Sequence, residues 1–324
     1  MSSSPPPTTA SASQAHSIHF YVWLGLAGQL IWGSYPVTAK RAIMEAPKFS
    51  LLFLATSATA SMGWWIVRRQ ESRSGRDILR FLLSEKSLWA LMLFVVLRSA
   101  TNILAIDLTR ATWVQLIYLL TPFMVAILGS LFFGERTPRY TYRALLLSTA
   151  GAAMALVTDW SHIMANFAPR DLWGLGVAVL SMLSLALYFQ MIRRSSRKHA
   201  SSGMILFQQS LAQAAIFLLL TLATGEDWSR WRDASLSAWL FIFWVVLGVF
   251  ISGNFLQITA ISGTSPALIT SLMPLRLISA IALGWLILGE QLTTAWQWVG
   301  AGIVLVTVSG YLWLQGRDSF RTAL

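Results

Sequence analysis

Forty-two consecutive residues, Ala234 to Leu275, carry no charged side chain. A membrane-spanning helix needs about 20 mainly apolar residues, because the hydrocarbon core is ~30 Å thick and a helix rises ~1.5 Å per residue. The stretch is too long for one such helix, and the turn Ser262, Gly263, Thr264, Ser265, Pro266 divides it into two. Composition extends this reading to the whole chain. Of 324 residues, 56% are hydrophobic and 11% charged, against roughly 25% charged in a soluble domain. Too few charges exist to cover a water-exposed surface, so the lipid bilayer is the expected surrounding.

Ten spans are expected, near 20–40, 48–68, 87–108, 111–133, 140–158, 171–192, 201–224, 236–260, 265–288 and 292–314. The fifth has a short uncharged part, Ala144 to Thr158, and borrows Tyr140, Thr141, Tyr142 and Arg143 near the interface. The first 19 residues are rich in Ser, Pro and Thr and lack Lys and Arg. They read as a disordered tail, not a secretory signal, which needs a basic start and an apolar stretch. The absence of cysteine excludes disulfides and thiolate chemistry.

A net charge of +11 would suggest nucleic acid as a partner for a soluble chain. Here the basic residues sit in short loops between apolar runs, and no nucleic-acid partner is expected. Cytoplasmic loops of membrane proteins are enriched in Lys and Arg. With the N-terminus inside, the inner loops and tail hold 15 of the 24 basic residues and the outer loops 7. The other two, Arg98 and Arg276, fall within spans. This bias predicts both termini in the cytoplasm and an even number of spans.

The chain also resembles itself at an offset of about 152 residues. Asn102 matches Asn254, Thr112 matches Thr264 and Pro122 matches Pro274; each half then reaches a Gly-Glu pair, Gly134-Glu135 and Gly289-Glu290. A repeat of five spans makes the second copy enter from the opposite side. Such inverted pairs recur in secondary transporters, where exchanging the conformations of the halves exposes a central site to either side.

The pieces Leu30 to Ser34 with Lys40, Leu131 to Glu135 and Leu286 to Glu290 resemble the drug/metabolite transporter superfamily, EamA type, over roughly residues 20–315. The resemblance implies an all-α membrane protein of ten transmembrane helices as a 5+5 inverted repeat, moving small metabolites. The expected division is a cytoplasmic tail 1–19, a first repeat 20–158, an external linker 159–170, a second repeat 171–315 and a cytoplasmic tail 316–324. A bacterial inner (plasma) membrane and export are expected by the same likeness. The chain departs from common members in having Arg276 two residues after the second-half proline, where the first half has Met124.

Ionisable residues inside a span are costly and usually face protein interior or water. Arg98 and Arg276 suit capture of carboxylate or phosphate; alternatively they neutralise Asp107 or a helix end, or snorkel. Asn102 lies one turn after Arg98, and Asn254 is its repeat mate; both serve either a site or interhelical bonding. Gln115, Tyr118 and Pro122 share a face of the fourth span. Gln29, Trp32, Ser181, Ser184 and Tyr188 offer polar and aromatic lining, and Trp32 is a candidate to stack a planar solute. The expected substrate-binding set is therefore Trp32, Arg98, Asn102, Gln115, Tyr118, Tyr188, Asn254 and Arg276, with helix kinks at Pro36, Pro122 and Pro274.

No enzyme constellation is visible. The histidines His16, His19, His162 and His199 lie outside the spans without metal-ligand spacing, and no phosphate or dinucleotide motif occurs. Neither cofactor nor metal is expected. The function expected is secondary transport of a small anionic or zwitterionic metabolite, such as an amino acid or organic acid, by alternating access. A channel or a membrane-embedded transferase is the alternative. Proton or substrate coupling and homodimer formation stay open. Impermeant labelling of intact cells should find a tag at Asn166 outside and tags at Gly75 and the C-terminus protected; labelling of Gly75 would reverse the orientation.

Overall fold

A computed structural model describes residues 10–70, 86–134, 140–157, 168–197, 201–264, 266–270 and 272–321. Among these the elements are helical, with no strand. In chain order they are α1 (Ala10–Ile43), α2 (Lys48–Gln70), α3 (Lys86–Leu108), α4a (Ala111–Tyr118), α4b (Thr121–Phe133), α5 (Tyr140–Leu156), α6 (Pro169–Arg197), α7 (Ser202–Ala223), a single turn Arg230–Asp233, α8 (Leu236–Gly263), α9a (Pro266–Thr270), α9b (Pro274–Leu288) and α10 (Ala295–Arg321). Helix α1 begins at Ala10, inside the segment expected to be a tail. The expected linker lies mostly outside the described residues.

Five helices are long and apolar enough to cross a membrane: Lys48–Arg69, Leu88–Leu108, Pro169–Ser196, Ser202–Ala223 and Leu236–Gly263. The pair α4a and α4b, bent by 41°, makes a sixth if counted as one span. Length and apolarity thus give up to six spans where ten are expected. The difference has a physical source. Helix α1 interrupts its apolar run with Gln29, Ser34, Thr38, Lys40 and Arg41, and α5 is 17 residues long. Helix α9b is a shorter apolar helix.

The principal packing pairs join the first half of the chain to the second. Helix α2 lies on α7, α3 on α6, α5 on α10, and α1 on α8 and α9b. Small residues permit the closest approaches, as in membrane helix pairs generally. A Cβ on Gly300 would stand 2.5 Å from the Gly151 carbonyl oxygen, and one on Gly33 3.0 Å from Arg276 Cα. The Gly-Glu pairs end α4b and α9b in the same way: Gly134 and Gly289 take left-handed φ values of 68° and 66°. That conformation suits glycine and closes a helix C-terminus.

Carboxylates tie the halves together at the bundle end that holds the α1–α2, α3–α4a, α7–α8 and α9b–α10 connections. Glu226 accepts the amides of Phe49 and Ser50 at the start of α2, at 2.9 and 2.8 Å. Glu290 accepts the Ala111 and Thr112 amides, both at 3.1 Å, and the Thr112 hydroxyl at 3.0 Å at the start of α4a. Glu45 accepts the Ser235 amide before α8 at 2.8 Å. Each satisfies N–H groups that a helix start leaves orphaned and meets the positive end of its dipole. Lys40 joins Glu290 at 3.2 Å and the Thr109 carbonyl at 2.6 Å. Hydrogen bonds to Ser235, with Arg41 beside it, hold the Glu45 carboxyl down to about 2.

Gly300→Val should lower the unfolding temperature in detergent, costing about 2 kcal/mol or more by overpacking α5. Gly302→Val, where a Cβ meets nothing within 4 Å, should leave it unchanged. Equal behaviour of the two variants would remove close approach as the cause.

Candidate functional site

Arg98 of α3 and Arg276 of α9b, remote in sequence, converge on one indole. The Arg98 guanidinium lies 4.5 Å from the Trp32 ring centroid and 5.7 Å from that of Tyr188; Arg276 lies 5.6 Å from Trp32. Both arginines are buried, at 4% and 2% exposure, so neither snorkels to the interface. Asp107, the one acid expected as a partner, is engaged by Lys48 at 2.7 Å and Arg170 at 3.3 Å. Among the described residues, neither guanidinium pairs with an acid.

Neutral groups hold them instead. Arg276 donates through Nε to Gln29 Oε1 and through Nη2 to Gln257 Oε1 at 2.8 Å. Gln29 is itself fixed, its amide donating to the Ile269 carbonyl at 3.1 Å. Arg98 Nε has no hydrogen-bond partner; aromatic faces supply the attraction in its surroundings. The backbone of Arg98 is secured separately. Its carbonyl accepts the Ser181 hydroxyl at 2.7 Å. Ser181 has one proton, so Tyr118 is the donor in their 2.6 Å contact, and Asn102 Nδ2 donates to Tyr118 Oη at 2.6 Å. The chain Asn102, Tyr118, Ser181, Arg98 thereby links α3, α4a and α6.

Six expected residues thus share this network: Trp32, Arg98, Asn102, Tyr118, Tyr188 and Arg276. Tyr188 donates to Gln209 Oε1 at 2.7 Å. Asn254 is adjacent through Phe250, whose carbonyl accepts its amide at 2.9 Å and whose ring packs on Trp32. Gln115 is buried, with Nε2 unpartnered. Trp32 is enclosed in this structure. Tyr35 and Phe250 crowd it, at 5.4 and 6.2 Å between centroids, along with the two guanidiniums. It orients cations and leaves no open face for a planar solute. Ser184 bonds within its own helix, to the Leu180 carbonyl.

The 41° bend of α4 lies just before Pro122. Helix α1 continues through Pro36. The break in α4 falls at Leu119 and Leu120, and Pro122 and Pro274 stand in the first turns of α4b and α9b, where a missing N–H costs nothing. They start helical pieces beside Tyr118 and Arg276. Gln257, Gln209 and Tyr35 were not singled out from the sequence. Gln257 follows Asn254 by three residues and Tyr35 follows Trp32 by three, so helical spacing from those two was the available signal.

The model of the EamA-like transporter family matches residues 19–157 and 172–313. Protein RarD of Salmonella typhi is 27% identical over 205 residues, covering 62% of this chain and 64% of that protein. Protein RarD of Salmonella typhimurium (strain LT2) matches to the same extent. These matches span less than two thirds of the relatives' own length. A solved crystal structure superposes with a TM-score of 0.67 at 17% identity, covering 92% of this chain and 98% of that one; at that identity the likeness concerns the fold alone.

Glu290 holds the first turn of α4a, one turn from the buried Gln115. The chain has no cysteine, so Gln115→Cys provides a single thiol one turn below Thr112. Glu290→Gln should raise its rate of reaction with an impermeant maleimide several-fold. An unchanged rate would mean that the carboxylate does not keep this end closed.

Proposed function

The chain belongs to the EamA-like transporter family and is an integral membrane protein; we propose that it is a secondary transporter that exports a small, negatively charged metabolite by alternating access between two inverted five-helix halves. Family membership points to a transporter and not an enzyme. The observation that carries the choice of solute is the pair of buried guanidiniums on Trp32 with no acid beside them. Burying a charge is expensive unless a counter-charge and hydrogen bonds compensate it. An anion arriving between Arg98 and Arg276 supplies both.

The packing supports the inverted halves. If helices one to five match six to ten, the pairs α2 with α7 and α5 with α10 map onto themselves. The pair α3 with α6 then maps onto α8 with α1, and α4 with α6 onto α9 with α1. All of these pairs are in contact. In the proposed orientation both termini are cytoplasmic and the carboxylate-capped end faces outward, in a bacterial inner membrane. The Glu290, Glu226 and Glu45 links join the halves at that end, so outward release by alternating access requires them to part.

Uptake and counterflow in proteoliposomes, screened over organic acids, phosphorylated metabolites, amino acids and amines, tests the reading. Arg98→Ala and Arg276→Ala should each weaken solute binding by about 2 kcal/mol, the value of a charge-assisted hydrogen bond. Arg276→Lys should recover only part, because an ammonium cannot hold the two glutamine oxygens and an anion as a planar fork does. Transport of an organic cation with unchanged affinity in both alanine variants would refute an anion site.

A further inference from the structure

The charge of the solute can be taken further, resting on the transport reading above. We infer that the site selects a dianion, a dicarboxylate or phosphomonoester with net charge −2, over monoanions and zwitterions. The site holds two guanidiniums, both more than nine-tenths buried and both against Trp32. The groups holding them are neutral: Gln29 and Gln257 on Arg276, and aromatic rings beside Arg98. Among the described acids, Glu45, Asp107, Asp171, Glu226 and Glu290 are engaged at the capped end, and Asp227 and Asp233 lie in its α7–α8 connection.

Protein interiors screen charge poorly, so each uncompensated cation there is costly. A monoanion neutralises one guanidinium and leaves the other. A zwitterion neutralises neither on balance, and its ammonium meets two like charges with no carboxylate to receive it. Only a dianion brings the buried site to neutrality. The unpartnered polar atoms add a finer requirement. Arg98 Nε, Trp32 Nε1, Gln209 Nε2 and Gln257 Nε2 are donors without partners, suited to the oxygens of such an anion. Asn102 Oδ1 and Asn254 Oδ1, the repeat mates, are acceptors without partners and suit a hydroxyl on the same solute. Hydroxylated dianions should therefore bind better than bare ones.

Matched probes isolate one charge at nearly constant shape: succinate against its monoamide succinamate, and glycerol 3-phosphate against its methyl ester. Malate adds the hydroxyl, alanine supplies the zwitterion and choline a cation. The full chain in proteoliposomes and in detergent provides competition in counterflow and ligand-dependent thermal shift. Each dianion should bind roughly ten- to hundredfold more tightly than its monoanionic partner. Malate should exceed succinate. In Arg98→Gln, and separately in Arg276→Gln, the ratio within each pair should collapse towards one. That ratio is read on folded protein and does not depend on yield. A response led by the phosphate pair alone identifies the phosphomonoester; one led by succinate and malate identifies the dicarboxylate. Equal binding within both pairs, or preference for alanine, overturns the dianion and leaves transport standing. Silence of every probe in both assays overturns the dianion and the transport reading together.

Discussion

Two buried positive charges set the terms for the rest of this structure. Holding Arg98 and Arg276 against Trp32 requires α1, α3 and α9b to meet at one point, and the amides that satisfy Arg276 bring in α8. The hydrogen-bond chain behind Arg98 adds α4a and α6. A network of this kind tolerates little displacement, since each lost partner strands a buried polar atom. The small residues at the helix crossings, Gly33 against Arg276 above all, follow from the same demand for close approach.

Among the described residues, carboxylates are kept away from the two deep arginines. The deep site has guanidiniums and amides, and the capped end of the bundle has carboxylates bound to helix starts. A free carboxylate near the site would pair with an arginine and compete with an incoming anion. The carboxylates instead satisfy amides that would otherwise be bare, and nearly all cross from one half of the chain to the other. Capping these helix starts and joining the halves are therefore one set of interactions.

Much of this was legible from sequence because a bilayer leaves few choices. The uncharged run Ala234 to Leu275 located α8 and the start of α9. Arg98 and Arg276 stood out because a charge within an apolar run needs a reason. The role of Glu290 was not legible: the Gly-Glu pair marks a helix end, but its target lies 179 residues away. Pattern also could not give the surroundings of Trp32, since Arg98, Phe250 and Arg276 reach it from three other helices. Around Phe250 the helix winds in wide turns from Trp244 to Gly253, which shifts the facing of Asn254 and Gln257 from ordinary helical spacing. Pro122 and Pro274 each follow a break between helical pieces, and a proline that starts a helix and one that bends it look alike in sequence.

The capping of α2 has a consequence for how the chain is made. Glu226 lies 177 residues after Phe49. At about 5–20 residues per second on a ribosome, the amides of Phe49 and Ser50 wait roughly 9 to 35 s for their acceptor. The first half must enter the bilayer and keep its orientation through that interval without the contacts that later seal it. Whatever sets its direction in the membrane is already synthesised by then, and the carboxylates from the second half fasten an arrangement they did not choose.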